Sequence, residues 1–109
     1  MEIVEARSNG TVIVGVKGRI DASNAGELEG KLVGLIGGGE KRLLLDMGEL
    51  DYISSAGLRA LLVAAKRLGS QKLALASLKD QIREVLDIAG FSSLFQIYPS
   101  RDRALASLQ

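Results

Sequence analysis

Two short apolar runs, "RLLLDM" and "KLALAS", each precede a stretch whose apolar residues recur at helical spacing, and this pairing limits the fold more than any other feature. Runs so short, bounded by glycine or charge, fit strands covered on both faces of a sheet. After the first run, Leu58, Leu61, Leu62, Ala65 and Leu68 line one side of a helix predicted from Ser55 to Leu68, while Arg59, Lys66 and Arg67 lie off that stripe and Gly69 ends it. After the second, Ile82, Val85, Leu86 and Ala89 repeat the pattern. Ser77 with Asp80 three residues later reads as a capping box for that helix, and Gly90 closes it. Strands alternating with helices imply parallel neighbours joined by right-handed crossovers.

The remaining segments extend this scheme. "EIVEAR" and "TVIVGVKG" are rich in β-branched residues, and Asn9-Gly10 between them is a strong hairpin signal. In "DASNAGELEGKLVGLIGGG" the positions Ala25, Leu28, Leu32, Leu35 and Ile36 follow helical spacing, with Glu27, Glu29 and Lys31 opposite. Asp21, Ser23 and Asn24 are each suitable N-caps, and the three glycines from Gly37 to Gly39 stop the helix. "FQIY" reads as a last strand, and "RDRALASL" after Pro99-Ser100 as a final short helix. The expected fold is a single α/β domain spanning residues 1–109, with a mixed four- to five-stranded sheet, an N-terminal hairpin and about four helices. A length of 109 residues suits one domain of the usual range, about 50 to 250 residues.

Composition excludes several kinds of chemistry. There is no His and no Cys, so a Ser-His-Asp triad, a thiolate nucleophile and the common histidine or cysteine metal sites are all ruled out. No cofactor or metal is expected. Fourteen Lys and Arg against thirteen Asp and Glu give a net charge of +1 with both signs scattered, a poor basis for binding nucleic acid. Runs such as "LLVAA" fall far short of the roughly 20 apolar residues that span a bilayer, and the acidic start does not resemble a signal peptide. A cytoplasmic protein without membrane insertion is expected. The glycines of "GLIGGGEKR" follow a helix and precede a strand, the reverse of the order in a phosphate-binding loop.

The segment "DMGELDYISSAGLR" links the carboxyl end of an expected central strand to the start of a helix, where open α/β sheets usually carry their sites. A phosphate on a serine at such a helix start would be favoured by the unpaired amides, and would add roughly −1.5 to −2 charge to the surface. Position alone also allows the simpler role of N-cap for Ser54 or Ser55. Asp46 reads as a partner of nearby backbone amides and Asp51 as a solvated loop carboxylate. Tyr52 and Ile53 fit either a contact surface or packing beneath the loop. A serine hydrolase is disfavoured, since "SSAG" lacks the G-x-S-x-G elbow and no His is present.

Three stretches, "GRIDASNAGELEGKL", "LLLDMGELDYISSAGLRALLVAAKR" and "VLDIAGFSSLFQIYPSRDRAL", together resemble a single-domain STAS protein of the anti-sigma factor antagonist family over nearly the whole chain. The resemblance implies a non-enzymatic partner switch. The unmodified protein would bind an anti-sigma factor that is also a histidine-kinase-like serine protein kinase, freeing a sigma factor. Phosphorylation would end that binding, and a separate serine phosphatase would restore it. Setting Gly57-Leu58 against the end of the family's D-S-[ST]-G-[LV] motif makes Ser55 the phosphate acceptor, with Ser54 the alternative. Ser54 then replaces the family's Asp, and Ala56 its second hydroxyl residue. The implied docking surface comprises Asp21, Ser23, Asn24, Met47, Asp51, Tyr52, Ile53, Ser54, Ser55, Gly57, Leu58 and Arg59. A monomer is expected. A second reading makes the domain a STAS regulatory subunit of a transport complex.

Overall fold

The computed structural model describes residues 1–71 and 73–108, apart from the side chain of Ser70, so Lys72 of "KLALAS" lies outside the described residues. The predicted hairpin forms: β1 (Glu2–Ser8) runs antiparallel to β2 (Thr11–Ile20), with Ser8 opposite Thr11 and Glu2 opposite Lys17. Asn9 and Gly10 take φ angles of 49° and 83°, the two successive positive values that a tight hairpin turn requires. Then follow α1 (Ala25–Gly37), β3 (Leu43–Asp46), β4 (Leu50–Ile53), α2 (Ser55–Leu68), β5 (Ala74–Ala76), α3 (Asp80–Ala89), β6 (Gln96–Tyr98) and α4 (Arg101–Leu108).

The strand order is β1-β2-β3-β5-β6, and every pairing beyond the hairpin is parallel. β2 is the organising strand. Its first half pairs with β3 from Val12 opposite Leu43 to Gly15 opposite Asp46, and its second half pairs with β4 from Gly18 to Ile20. The alternation of side chains along β2 and β3 divides the core. Val12, Val14, Val16, Leu43 and Leu45 face α1, α2 and α3, burying Leu28, Leu32, Leu61, Ile82 and Leu86. Ile13, Leu44, Ala74 and Ala76 face the other way, against Ala104 of α4. "LLLD" is thus the doubly covered strand that its continuous apolar character predicts. Among the described residues, no helix is long and apolar enough to cross a membrane.

The structure corrects three expectations. The sheet has six strands because Leu50–Ile53, read from sequence as loop, forms β4. Its end residues Leu50 and Ile53 are buried while Asp51 and Tyr52 between them are exposed, a pattern without the two-residue alternation that marks a strand. Asp51 is accordingly a strand residue, ion-paired with Lys79 rather than simply solvated. The third correction concerns α3, whose N-cap is Lys79 with no side-chain cap bond. Ser77 instead adopts a left-handed φ of 63°, and its amide donates to the Tyr98 carbonyl at 3.1 Å, so the predicted capping box does not form.

At the rim of the sheet, β1 is almost wholly exposed. Its charges are answered by neighbours: Glu5 pairs with Lys31 of α1 at 2.5 Å, and Arg7 with Glu40 at 2.7 Å. Lys31 beside it holds the Glu5 carboxyl below its usual range.

Candidate functional site

β4 feeds directly into α2, and this junction carries both serines. Ser54 is half-buried with extended φ and ψ of −84° and 172°, the conformation of an N-cap. Its hydroxyl accepts from the Gly57 amide at 3.2 Å, and its own amide donates to the Ile20 carbonyl at 2.9 Å, tying the helix start to the end of β2. Ser55, the first helical residue, is exposed. The two adjacent hydroxyls therefore differ in kind: one is committed to the backbone, and the other faces outward.

What holds α2 at this height is Gly57. A Cβ at this position would lie 2.7 Å from both Ile20 Cγ2 and Ile53 Cγ1, closer than real side chains pack, so only glycine lets the helix start rest directly on β2 and β4. Leu58 follows at 8% exposure and anchors the same turn in the core.

Around the serines lie three polar arrangements. The Arg19 guanidinium sits 4.3 Å from the centre of the Tyr52 ring, a cation–π contact on the exposed side of β2 and β4. Asp51, on the same strand, pairs with Lys79 at the start of α3. Ahead of α1, Asp21 Oδ1 accepts from the Ser23 amide at 2.9 Å and from the Ser23 hydroxyl at 2.5 Å. Asn24 closes that turn, its Oδ1 accepting from the Asp21 amide and its Nδ2 donating to the Arg19 carbonyl, each at 2.9 Å. The Ser23 hydroxyl, then the Ser23 amide, hold the Asp21 carboxyl below its usual range, with help from Asn24 and Arg19. None of the three N-cap candidates gives α1 a side-chain cap bond. They build the turn itself.

Measured against the predicted docking surface, Ser23, Asp51, Tyr52, Ser55 and Arg59 are exposed, and Asp21, Asn24 and Ser54 are half-buried. Four of the predicted contact residues are buried instead. Met47 is fully enclosed, its amide bonded to the Ala76 carbonyl; Ile53 and Leu58 belong to the core; Gly57 lies under the helix. They shape the surface from beneath. The side chains of a strand or helix are divided between a buried and an exposed face, so a contiguous sequence segment cannot all be contact surface. The exposed Arg19 and the half-buried Lys79 border this layer, and sequence reading missed them. Lys79 meets Asp51 across 28 positions, a pairing that no local pattern signals.

Among the described residues, neither Ser54 nor Ser55 is hydrogen-bonded to a carboxylate or a lysine. Asp46 accepts from the Gly48 amide at 3.0 Å, as its sequence position suggests, and from Arg101 Nε at 2.8 Å, while Asp51 is engaged by Lys79. Among the described residues, no group of three or more acidic side chains is gathered to hold a metal ion.

With the geometry in view, the relatives are informative. Residues 2–104 match the model of the STAS domain. BtrV of Bordetella bronchiseptica, named as a candidate anti-sigma factor antagonist, is 40% identical over 111 residues, covering 100% of this chain and 96% of that protein. The anti-sigma-F factor antagonist RsfB of Mycobacterium tuberculosis is 21% identical over 108 residues, covering 98% of this chain and 88% of RsfB. The crystal structure of an anti-sigma factor antagonist from Mycobacterium paratuberculosis superposes with a TM-score of 0.90 at 23% identity, covering 98% and 92% of the two chains, a likeness of fold. The match of residues 2–104 to the STAS domain and a relative 40% identical across the whole chain place this chain in the STAS domain family, among the anti-sigma factor antagonists.

Proposed function

We propose that the protein is a partner switch controlled at Ser55. In its unmodified form it docks an anti-sigma factor that is also a serine protein kinase, through the exposed layer formed by Ser23, Asp51, Tyr52, Ser55 and Arg59, and so releases a sigma factor. The kinase then modifies its own ligand. The Ser55 oxygen attacks the γ-phosphorus of ATP, an O–P bond forms as ADP leaves, and the serine proton passes to a base on the kinase. The added charge of roughly −1.5 to −2 in the middle of the interface ends docking until a phosphatase hydrolyses the ester. The site of action is cytoplasmic, where ATP is available, and the protein works as a monomer.

The observation that carries this reading is the division of labour between the serines. Ser54 has its hydroxyl bonded to the Gly57 amide, whereas Ser55 is exposed on the first turn of α2. A phosphate on the first helical residue also meets the favourable end of the helix dipole, so modification leaves the fold standing.

The test incubates the protein with ATP and a purified kinase-type anti-sigma factor from the same organism, and follows intact mass. One phosphate is expected on the parent and on Ser54→Ala, and none on Ser55→Ala. A phosphate that persists in Ser55→Ala and disappears in Ser54→Ala would transfer the role to Ser54.

A further inference from the structure

The cations around Ser55 are not equivalent. Arg19 is committed to the Tyr52 ring and Lys79 to Asp51. Arg59 is exposed and takes part in no ion pair or side-chain hydrogen bond among the described residues. It also stands four residues after Ser55 on α2, with the buried Gly57 and Leu58 and the half-buried Ala56 turned away between them. Residues four apart on a helix are surface neighbours, with Cβ atoms roughly 5–6 Å apart. A guanidinium at that spacing can meet a phosphate on the earlier residue through two N–H donors.

We propose that Arg59 is the internal counter-ion of a phosphate on Ser55 and, before modification, a docking cation for an acidic group of the partner. The proposal rests on Ser55 being the acceptor. On this view modification does two things at once: it adds negative charge at Ser55, and it withdraws the Arg59 guanidinium from the partner by folding it back along α2. The neighbouring charges do not substitute for it. Asp51 and Lys79 largely neutralise each other, and Arg19 is held over Tyr52 on the strands.

The test uses the full chain with phosphoserine installed at position 55 during translation, so that it needs no kinase. The second ionisation of the phosphate is titrated by phosphorus NMR. A nearby cation favours the dianion, so Arg59→Gln should raise the midpoint by about 0.3 pH unit, Arg59→Lys should recover part of the shift, and Arg67→Gln should leave it unchanged. An equal midpoint in the parent and Arg59→Gln overturns the counter-ion role. Separately, unmodified Arg59→Gln should bind the kinase-type anti-sigma factor several-fold more weakly with an unaltered melting temperature, and undiminished affinity overturns the docking role. If the parent itself fails to bind that kinase, the partner-switch reading fails, while the titration still decides whether Arg59 holds the phosphate.

Discussion

α2 and α3 leave the same end of the sheet, each following a parallel strand, yet their first turns are secured by opposite means. The third residue of α2 is Gly57, with no room for a methyl group; the third residue of α3 is Ile82, 1% exposed, which fills the corresponding space with a large side chain. α2 is capped by the Ser54 hydroxyl, whereas α3 has Lys79 at the cap with no side-chain bond and Asp80 in its first turn. One helix therefore presses its backbone against the sheet and is closed by a local hydrogen bond. The other stands off on an isoleucine and relies on charge. The first arrangement gives a turn that stays folded when its exposed residue changes, as the proposed modification of Ser55 requires.

Volume changes at the two third positions are the strongest way to break this contrast. Ile82→Ala should destabilise the protein by about 3 kcal/mol in chemical denaturation, through lost burial and the cavity left behind. Gly57→Ala should cost about 1–2 kcal/mol, because overpacking against Ile20 and Ile53 outweighs the roughly 1 kcal/mol that alanine gains in helix propensity. If Gly57→Ala proves stabilising, α2 is not seated on its backbone and the contrast is lost.

The caps give a smaller effect. Ser54→Ala should lower stability by about 1 kcal/mol, whereas Ser77→Ala should change it by less than about 0.5 kcal/mol, since Ser77 caps nothing. Equal losses in thermal or urea unfolding would mean that Ser77 has a capping role after all.

The smallest effect lies at the start of α1, where a carboxylate organises the turn. The folded pKa of Asp21 lies below its ordinary value of 3.8, so its contribution is complete above that pH and disappears as pH falls through the lower folded value. Asp21→Asn should therefore be slightly less stable than the parent at neutral pH, and the gap should close under strongly acidic conditions. A gap that persists unchanged into acid would show that the carboxylate charge is not what orders this turn.

Legibility in the sequence followed the range of the interactions. The hairpin, the helix from Ser55 to Leu68, and the closing Gly90 rest on local rules of turn chemistry and periodicity, and all three are present. β4 escaped notice because it exists only by pairing with β2 beyond an irregularity after Gly18, a contact some 30 positions away. "SLKD" looked like a capping box, but β6 takes the Ser77 amide and turns the residue left-handed, so a tertiary bond overrides a local motif. At the candidate site the serines were visible because a helix start announces itself. Which neighbours lie outside was not, because Met47, Ile53 and Gly57 owe their burial to strands and helices distant in the chain.

The exposed rim strand has a consequence for behaviour at high concentration. β1 offers a row of unsatisfied main-chain groups seven residues long, enough to template pairing with a second copy, and Glu2, Glu5 and Arg7 place charge along it at short intervals. Such charges act as gatekeepers against sheet-to-sheet growth. Replacing them with threonine or valine would leave the monomer's interior untouched while turning its margin into a seed for aggregation.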